Sequence, residues 1–144
     1  MYDRILVPTD GSTGTARTLE HATSIANAFD ASVDVLYVLD ERMYQAASED
    51  ATEDVIRSLE EEGDRAIDDA VTRLEDEGVE AEGHLERGIP YRDIISFSED
   101  GPIDLIVMGT HGRSGRDRLA KMGSVTDRVV KNADVPVMVV DIEA

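Results

Sequence analysis

The sequence contains no cysteine and no tryptophan, and aromatic residues make up only 4% of its 144 residues. The lack of cysteine excludes disulfide bonds and thiolate metal sites, and it fits a reducing compartment. No apolar run approaches the roughly 20 residues that a membrane-spanning helix needs. The first residues lead straight into a strand-like apolar run, so we expect a cytoplasmic protein without a targeting or membrane-spanning segment.

Positive charge is also scarce, with 14 lysines and arginines against 32 acids and a net charge of −18. A surface of this sign repels polyanions, so neither nucleic acid nor an anionic membrane is expected as a partner. The acidic excess fits a salt-adapted organism, because in molar salt the Debye length is only about 3 Å. An anionic ligand would then experience little repulsion from the net charge. The acidic composition therefore does not exclude nucleotide binding.

Strand-like and helix-like segments alternate along a single domain that we place at residues 1–144. The predicted strands are Arg4–Pro8, Ser32–Leu39, Val79–Glu86, Ile103–Met108 and Val135–Val140. Predicted helices run from after Ser12 to about Phe29, from about Asp50 to Glu77 with Gly78 as terminator, from Tyr91 to about Glu99, and from Val125 to Asn132. The connection Asp40–Asp50 is not assigned. Apolar parallel strands joined by helical crossovers predict an α/β fold, an open doubly wound five-stranded sheet with helices on both faces.

The segment from Met108 to Thr126 reverses the local charge and is rich in glycine. Its glycines are Gly109, Gly112, Gly115 and Gly123, and its cations are Arg113, Arg116, Arg118 and Lys121. A glycine loop between a strand and a helix lets backbone amides approach an anion, so this segment predicts a phosphate site. The arginines either close over the phosphates or pair with acidic residues on the surface. The sequence is compatible with both interpretations. If the first and fourth strands are neighbours, Thr9-Asp10 faces this loop across a crevice.

Several blocks in order resemble the universal stress protein family, specifically its ATP-binding branch. They are VPTDGS at residues 7–12, VLD at 38–40, GIP at 88–90, DLIVMGTHGR at 104–113, GSVTDRVV at 123–130 and PVMVV at 136–140. The resemblance implies the adenine nucleotide α-hydrolase-like fold with strand order 3-2-1-4-5. It also implies a stress-response module that switches with bound ATP, ADP or AMP. Any hydrolysis should be slow, because a Walker loop and an obvious base to orient water are missing.

The resemblance also implies the nucleotide-binding residues. Asp10 contacts the ribose or base, the backbone of Val38 backs the adenine, and His111 lies against phosphate or ribose. The remaining members of the implied site are Pro8, Thr9, Met108, Gly109, Gly112, Arg113, Gly123, Ser124, Val125 and Thr126. Mg²⁺ or Mn²⁺ would be held mainly by the phosphates.

Structural explanations compete with these roles. Asp10 could simply form a turn, Val38 could belong to the core, and Ser124 fits the N-cap of a capping box with Asp127. The three histidines, at positions 21, 84 and 111, show no metal-ligand spacing. No protein-held metal is therefore predicted.

One departure from the family pattern bears on function. The family's ATP signature has nine residues before its last glycine, whereas ten separate Gly112 from Gly123 here. The extra residue is either absorbed as a bulge or turns Gly123-Ser124 out of reach of phosphate. A nucleotide-free interaction module of the same fold is therefore the alternative.

Two other folds of this class are less well matched. Ser12-Thr13-Gly14-Thr15 partly resembles a flavodoxin phosphate loop, but few aromatics are present to sandwich FMN. A receiver domain lacks its acceptor aspartate, since the third strand ends in Leu85-Glu86-Arg87-Gly88.

The last strand suggests an assembly. Residues Val135–Val140 carry no charge and would lie at the sheet edge in the family's strand order. A bare apolar edge invites pairing. We therefore expect a homodimer through this strand, beside an unidentified protein partner.

Overall fold

A computed structural model describes residues 1–110 and 122–142 of the chain. It contains five strands and five helices, with one helix between consecutive strands except after β2, where α2 and α3 follow each other. The strands are β1 (Arg4–Pro8), β2 (Ser32–Asp40), β3 (Ala81–Gly88), β4 (Leu105–Gly109) and β5 (Val137–Val140). The helices are α1 (Thr15–Phe29), α2 (Glu41–Gln45), α3 (Glu49–Asp76), α4 (Pro90–Asp100) and α5 (Ser124–Asn132).

The strands form one sheet in the order β3-β2-β1-β4-β5, and every neighbouring pair is parallel. The predicted doubly wound α/β fold and its strand order are thereby confirmed. Chain order reverses at β1, which pairs with β2 on one side and with β4 on the other. Ligands of such sheets bind outside the carboxyl ends of the strands at this switch point.

Each face of the sheet has its own apolar core, because the buried strands alternate their side chains between the faces. Helices α1 and α3 cover one face, where Leu19, Ala22 and Leu74 pack on β1 and β2. On the other face, α4 and α5 bring Ile94 and Val129 onto Leu6, Leu36 and Ile106. The sheet is thus rigid on both sides, and the loops at its carboxyl edge are anchored to it.

Helix α3 shows how the sequence pattern becomes packing. Its buried residues are Gly63, Ile67, Ala70 and Leu74, spaced by three or four positions, and its acids lie off that stripe. Gly78 follows the helix with a φ of 80°, a left-handed conformation that glycine adopts freely. The predicted termination by Gly78 is confirmed.

Two segments differ from the prediction. The unassigned connection after β2 contains the short helix α2, whose N-terminus is capped by Asp40: its carboxylate accepts from the Arg42 amide at 3.1 Å. Strand β3 begins at Ala81 instead of Val79. The Val79 amide donates to the Leu74 carbonyl and so closes the end of α3 before the strand starts.

Strands β4 and β5 start two residues later than predicted, β4 at Leu105 instead of Ile103, whereas helix α5 starts one residue earlier, at Ser124. Strand β5 begins at Val137 instead of Val135, because Pro136 has no amide and contributes only its carbonyl, which accepts from Ile106. The predicted capping box is wrong. Gly123 is the N-cap of α5 and Ser124 its first helical residue, while Asp127 pairs with Lys131 at 3.0 Å.

Among the described helices, none is both long enough and apolar enough to cross a membrane.

Candidate functional site

A cavity of about 680 Å³ opens at the carboxyl edge of the sheet, over the switch point between β1 and β4. This volume lies within the usual range of small-molecule sites, roughly 300–1,000 Å³. The walls come from the ends of β1, β2 and β4, the start of α5 and the first turn of α1. Apolar side chains make up much of the lining, with polar groups at the strand ends.

Ten of the thirteen residues predicted for a nucleotide site line this cavity. They are Pro8, Thr9, Asp10, Val38, Met108, Gly109, Gly123, Ser124, Val125 and Thr126. The other three, His111, Gly112 and Arg113, lie outside the described residues. The structure therefore brings together, from three strand ends and one helix start, residues up to 118 positions apart in the sequence.

The loop after β1 holds Asp10 in a tight turn. The Ser12 amide donates to Asp10 Oδ1 at 3.0 Å, and the Gly11 amide donates to Thr9 Oγ1 at 3.0 Å. Gly11 has a φ of 79°, which lets the chain reverse here. Asp10 is therefore a turn former and at the same time lines the cavity, so its carboxylate is held in place before any ligand arrives.

Strand β2 extends past the end of β1 and presents its backbone to the cavity. Pairing between the two strands ends at Pro8 and Leu36, and the Leu36 carbonyl accepts from the Thr9 amide at 2.9 Å. Backbone groups of alternate residues in a strand point to the same side, so the amide and carbonyl of Val38 point to the same side as those of Leu36. Because β1 has ended at that level, no strand of the described sheet covers the Val38 groups there. A donor and an acceptor on one residue suit the edge of a planar base.

Asp40 closes this end of the cavity and is engaged by Arg42. The Arg42 guanidinium donates to Asp40 Oδ1 at 2.8 Å and to Oδ2 at 2.6 Å. This hydrogen bonding lowers the pKa of the Asp40 carboxyl, against the opposing effect of partial burial. Asp40 is therefore an ionised, already occupied carboxylate and a poor candidate for holding a free cation.

Hydrogen bonds tie the end of β4 to the start of α5. Thr126 Oγ1 donates to the Gly109 carbonyl at 2.9 Å, and the Gly123 amide donates to the Thr110 carbonyl at 2.6 Å. The first helical bond of α5 runs from the Asp127 amide to the Gly123 carbonyl. The amides of residues 124–126 precede it and have no earlier helical carbonyl to bind, which is the arrangement that attracts anions.

These bonds bear on the ten-residue spacer between Gly112 and Gly123. Its extra residue falls among residues 113–122, most of which lie outside the described part of the chain. Thr110, the last described residue before the spacer, is nevertheless hydrogen-bonded to Gly123, and Gly123 and Ser124 line the cavity. The longer spacer has thus not carried the start of α5 away from Gly109.

Some cavity residues were missed by the sequence reasoning. Met43 of α2, Leu59 of α3 and Ile142 after β5 all contribute to the lining. Ile142 packs so closely on Gly14 that a methyl group added there would lie 2.5 Å from Ile142 Cδ1. No local pattern marks these residues, because their roles depend on how distant helices and the C-terminal segment cross the carboxyl edge.

Two arginines surround the phenol of Tyr91, the residue after the cavity-lining Pro90. The Arg128 guanidinium lies 4.9 Å from the centre of the Tyr91 ring, and Arg92 Nε is 3.3 Å from the Tyr91 hydroxyl. The hydrogen bond from Arg92, supported by the charges of Arg92 and Arg128, lowers the pKa of Tyr91.

Comparisons with known proteins agree with this architecture. The profile of the universal stress protein family matches residues 1–141. Universal stress protein MJ0531 of Methanocaldococcus jannaschii is 38% identical over 141 residues, covering 97% of this chain and 82% of that protein. The solved structure of MJ0577 from the same organism has a TM-score of 0.87 and 33% identity, covering 98% of this chain and 96% of the other. A universal stress protein of Archaeoglobus fulgidus, solved in complex with dAMP, has a TM-score of 0.71 and 27% identity, covering 96% and 97%.

Proposed function

This chain belongs to the universal stress protein family, and we propose that it is a cytoplasmic stress-response module that binds an adenine nucleotide, ATP foremost, in the cavity at the switch point. The observation that carries this proposal is the convergence of three groups on one cavity. Asp10 and the backbone of Val38 lie on one side, and the free amides at the start of α5 lie on the other. The dAMP complex of the Archaeoglobus fulgidus relative supports an adenine nucleotide as the ligand class.

Each part of the cavity suits one part of the nucleotide. The Val38 backbone offers a donor and an acceptor to the adenine edge, and the Asp10 carboxylate accepts from ribose hydroxyls. The amides of residues 124–126 take the phosphates, which gain typically 0.3–1 kcal/mol from the helix dipole before any hydrogen bond is counted. Mg²⁺ or Mn²⁺ would be held mainly through the phosphates, since the Asp40 carboxylate is already engaged by Arg42.

We assign the module a switching role with at most slow hydrolysis. Support comes from the sequence, which has no Walker loop and no obvious base to orient a water. The base of the glycine loop contacts the sheet edge directly, because the Thr110 amide donates to the Val140 carbonyl at 2.9 Å. Phosphate binding at this loop therefore acts on β5, where a partner would pair.

Titration calorimetry of ATP·Mg²⁺ into the wild-type protein in molar KCl tests the proposal, with Gly123→Val measured in parallel. The added side chain would keep phosphate from the helix amides, so saturable binding should be lost in Gly123→Val. Thr72→Val is the control, because it adds the same side chain on an exposed face of α3 outside the cavity. GTP in place of ATP tests the base preference, and AMP and ADP test the contribution of each phosphate.

The alternative function is a nucleotide-free interaction module of the same fold, which the ten-residue spacer favours. A folded wild-type protein that gives no heat with any adenine nucleotide would establish this alternative.

We also propose a homodimer in which β5 pairs with β5 of a second copy. Strand β5 is the last strand of the sheet, and Met138 on it and Val130 on the adjoining helix α5 are exposed apolar side chains. Sedimentation in molar KCl should give twice the mass of one chain. Met138→Asp should shift the protein to the monomer, and a wild-type monomer at working concentration would contradict the assembly.

A further inference from the structure

A second group of chemically active side chains lies on the edge strand β3 and its neighbour β2, outside the nucleotide cavity. One ligand atom each from Asp34, Glu82 and His84 lies within 4.8 Å of the other two. None of the three lines the cavity. Asp34 is a buried charge in an otherwise apolar strand, whereas Glu82 is exposed and His84 is partly exposed.

The register of two rigid strands sets this arrangement. Asp34 is the direct partner of Glu82, and Leu36 is the partner of His84. Glu82 and His84 are two positions apart on β3, so both side chains point to the same face of the sheet. Phe97 of α4 lies against the imidazole, with the ring centres 4.8 Å apart.

Arg4 and His84 hold the two oxygens of Asp34 in different ways. Arg4 donates to Asp34 Oδ2 at 3.2 Å from Nε and at 2.8 Å from a terminal nitrogen. His84 Nε2 lies 2.9 Å from the other oxygen, Oδ1. Arg4 thus holds the Asp34 carboxylate through the oxygen that His84 does not contact. In known metal sites, a hydrogen-bond partner placed in this way orients the ligand without binding the metal itself.

Glu82 is the observation that points to a cation. Its carboxylate lies directly across from Asp34, and like charges opposite each other in a sheet are destabilising. In the described part of the chain, Glu82 has no hydrogen bond or ion pair that would offset this repulsion. Arg4 pairs with Asp34 alone, so the charge of Glu82 is not offset by any cation in the described part of the chain.

We propose that Asp34, Glu82 and His84 form a binding site for a divalent transition-metal ion, best matched by Zn²⁺. One imidazole nitrogen and two carboxylate oxygens suit Zn²⁺, whereas Ca²⁺ takes six to eight oxygen ligands and Mg²⁺ keeps several waters. Two ligands of a tetrahedral Zn²⁺ lie about 3.3–3.5 Å apart. The 2.9 Å separation of His84 Nε2 and Asp34 Oδ1 therefore needs to widen by only a few tenths of an ångström. On binding, the ion replaces the hydrogen bond between these atoms, the imidazole binds as the neutral ring, and water completes the coordination.

Calorimetric titration of ZnCl₂ into the full-length, metal-stripped protein tests the site, with nucleotide absent so that no ion is held through phosphates. The wild type should bind one Zn²⁺ per chain. Glu82→Gln and His84→Gln should each weaken that binding about tenfold or more, because each removes a direct ligand. The controls are His21→Gln and Glu75→Gln, an exposed histidine and an exposed acid elsewhere on the surface, and both should bind as the wild type does.

Cobalt provides a spectroscopic readout that a merely structural role of His84 would not alter. Co²⁺ bound to the wild type should give visible d–d absorption that Zn²⁺ abolishes by competition and that Glu82→Gln lacks. Glu82→Gln leaves the Arg4–Asp34–His84 hydrogen bonds in place, so it decides the question even if His84→Gln does not fold. Absence of saturable Zn²⁺ binding, or equal affinity in Glu82→Gln and the wild type, would overturn the proposal.

Discussion

Thr126 is the residue whose substitution most directly tests the connection between the sheet and the phosphate-facing end of α5. Its side chain is only 3% exposed, and its hydroxyl donates to the Gly109 carbonyl at 2.9 Å. Thr126→Val preserves the shape of the side chain but removes the donor, leaving the half-buried Gly109 carbonyl without this partner. Such a loss costs about 1–3 kcal/mol.

The consequence for stability can be measured in urea at constant salt. We expect the free energy of unfolding of Thr126→Val to fall by about 1–3 kcal/mol. For a domain of this size, the melting temperature should fall by about 2–4 °C for each kcal/mol. Thr126→Ser is the matched control: it keeps the hydroxyl and loses one buried methyl group, at about 0.8 kcal/mol.

Nucleotide affinity separates the two variants more sharply than stability does. If the first turn of α5 must return to its wild-type position to bind phosphate, the same 1–3 kcal/mol is subtracted from binding, a loss of about 5- to 150-fold. Thr126→Ser should bind ATP as the wild type does, because its hydrogen bond to Gly109 remains. Equal ATP affinity and equal stability of Thr126→Val and the wild type would refute the idea that this bond positions the site.

Three further substitutions test the packing and the charges of the fold. Gly83→Ala should lower the free energy of unfolding by about 1–3 kcal/mol, because the new methyl group would collide with Ile67 of α3; an unchanged urea midpoint would show that the helix moves freely. Leu74→Ala, at a fully buried position, should cost about 2–5 kcal/mol in the same assay, and a loss below 1 kcal/mol would mean that the core collapses around it. Asp40→Asn should cost up to about 1 kcal/mol at pH 7, since the guanidinium of Arg42 is largely exposed. Because the pKa of Asp40 is lowered in the folded state, its contribution is present above the ordinary carboxyl pKa and is lost as the pH falls through the lowered value. A difference in urea midpoint between Asp40→Asn and the wild type that does not shrink as the pH is lowered below the ordinary carboxyl pKa would contradict this assignment.

The fold was predictable because its signals are local. Apolar runs such as those around Ile5 and Ile106 belong to strands buried on both faces, and the stripe of α3 repeats every three or four residues. Gly78 ended a helix as predicted, since a left-handed φ is a property of a single residue. Helix α2 escaped prediction because five residues carry too little periodicity, and its start depends on one aspartate side chain.

The candidate nucleotide site was predictable to the extent that strand ends can be found in the sequence. Asp10 and Gly109 each follow or end an apolar strand, and parallel strands deliver their carboxyl ends to one edge. The capping of α5 was not predictable, because Gly123 and Ser124 are both acceptable N-caps. With Gly123 as the N-cap, the Gly123 amide donates to Thr110 and the Thr126 hydroxyl donates to Gly109. Both hydrogen bonds depend on where β4 ends, which the sequence around α5 does not show.

The sequence by itself therefore determined the class of fold, the order of its elements and the edge at which a ligand would bind, because periodicity and strand-end chemistry are properties of neighbouring residues. Only the tertiary structure decided which distant residues meet. The register of β2 against β3 places Asp34 directly opposite Glu82, and His84 lies two residues further along β3. About 50 residues of chain separate Asp34 from these two partners. The buried faces of the two strands favour that register, and it is reached only when α3 and α4 pack on opposite faces of the sheet.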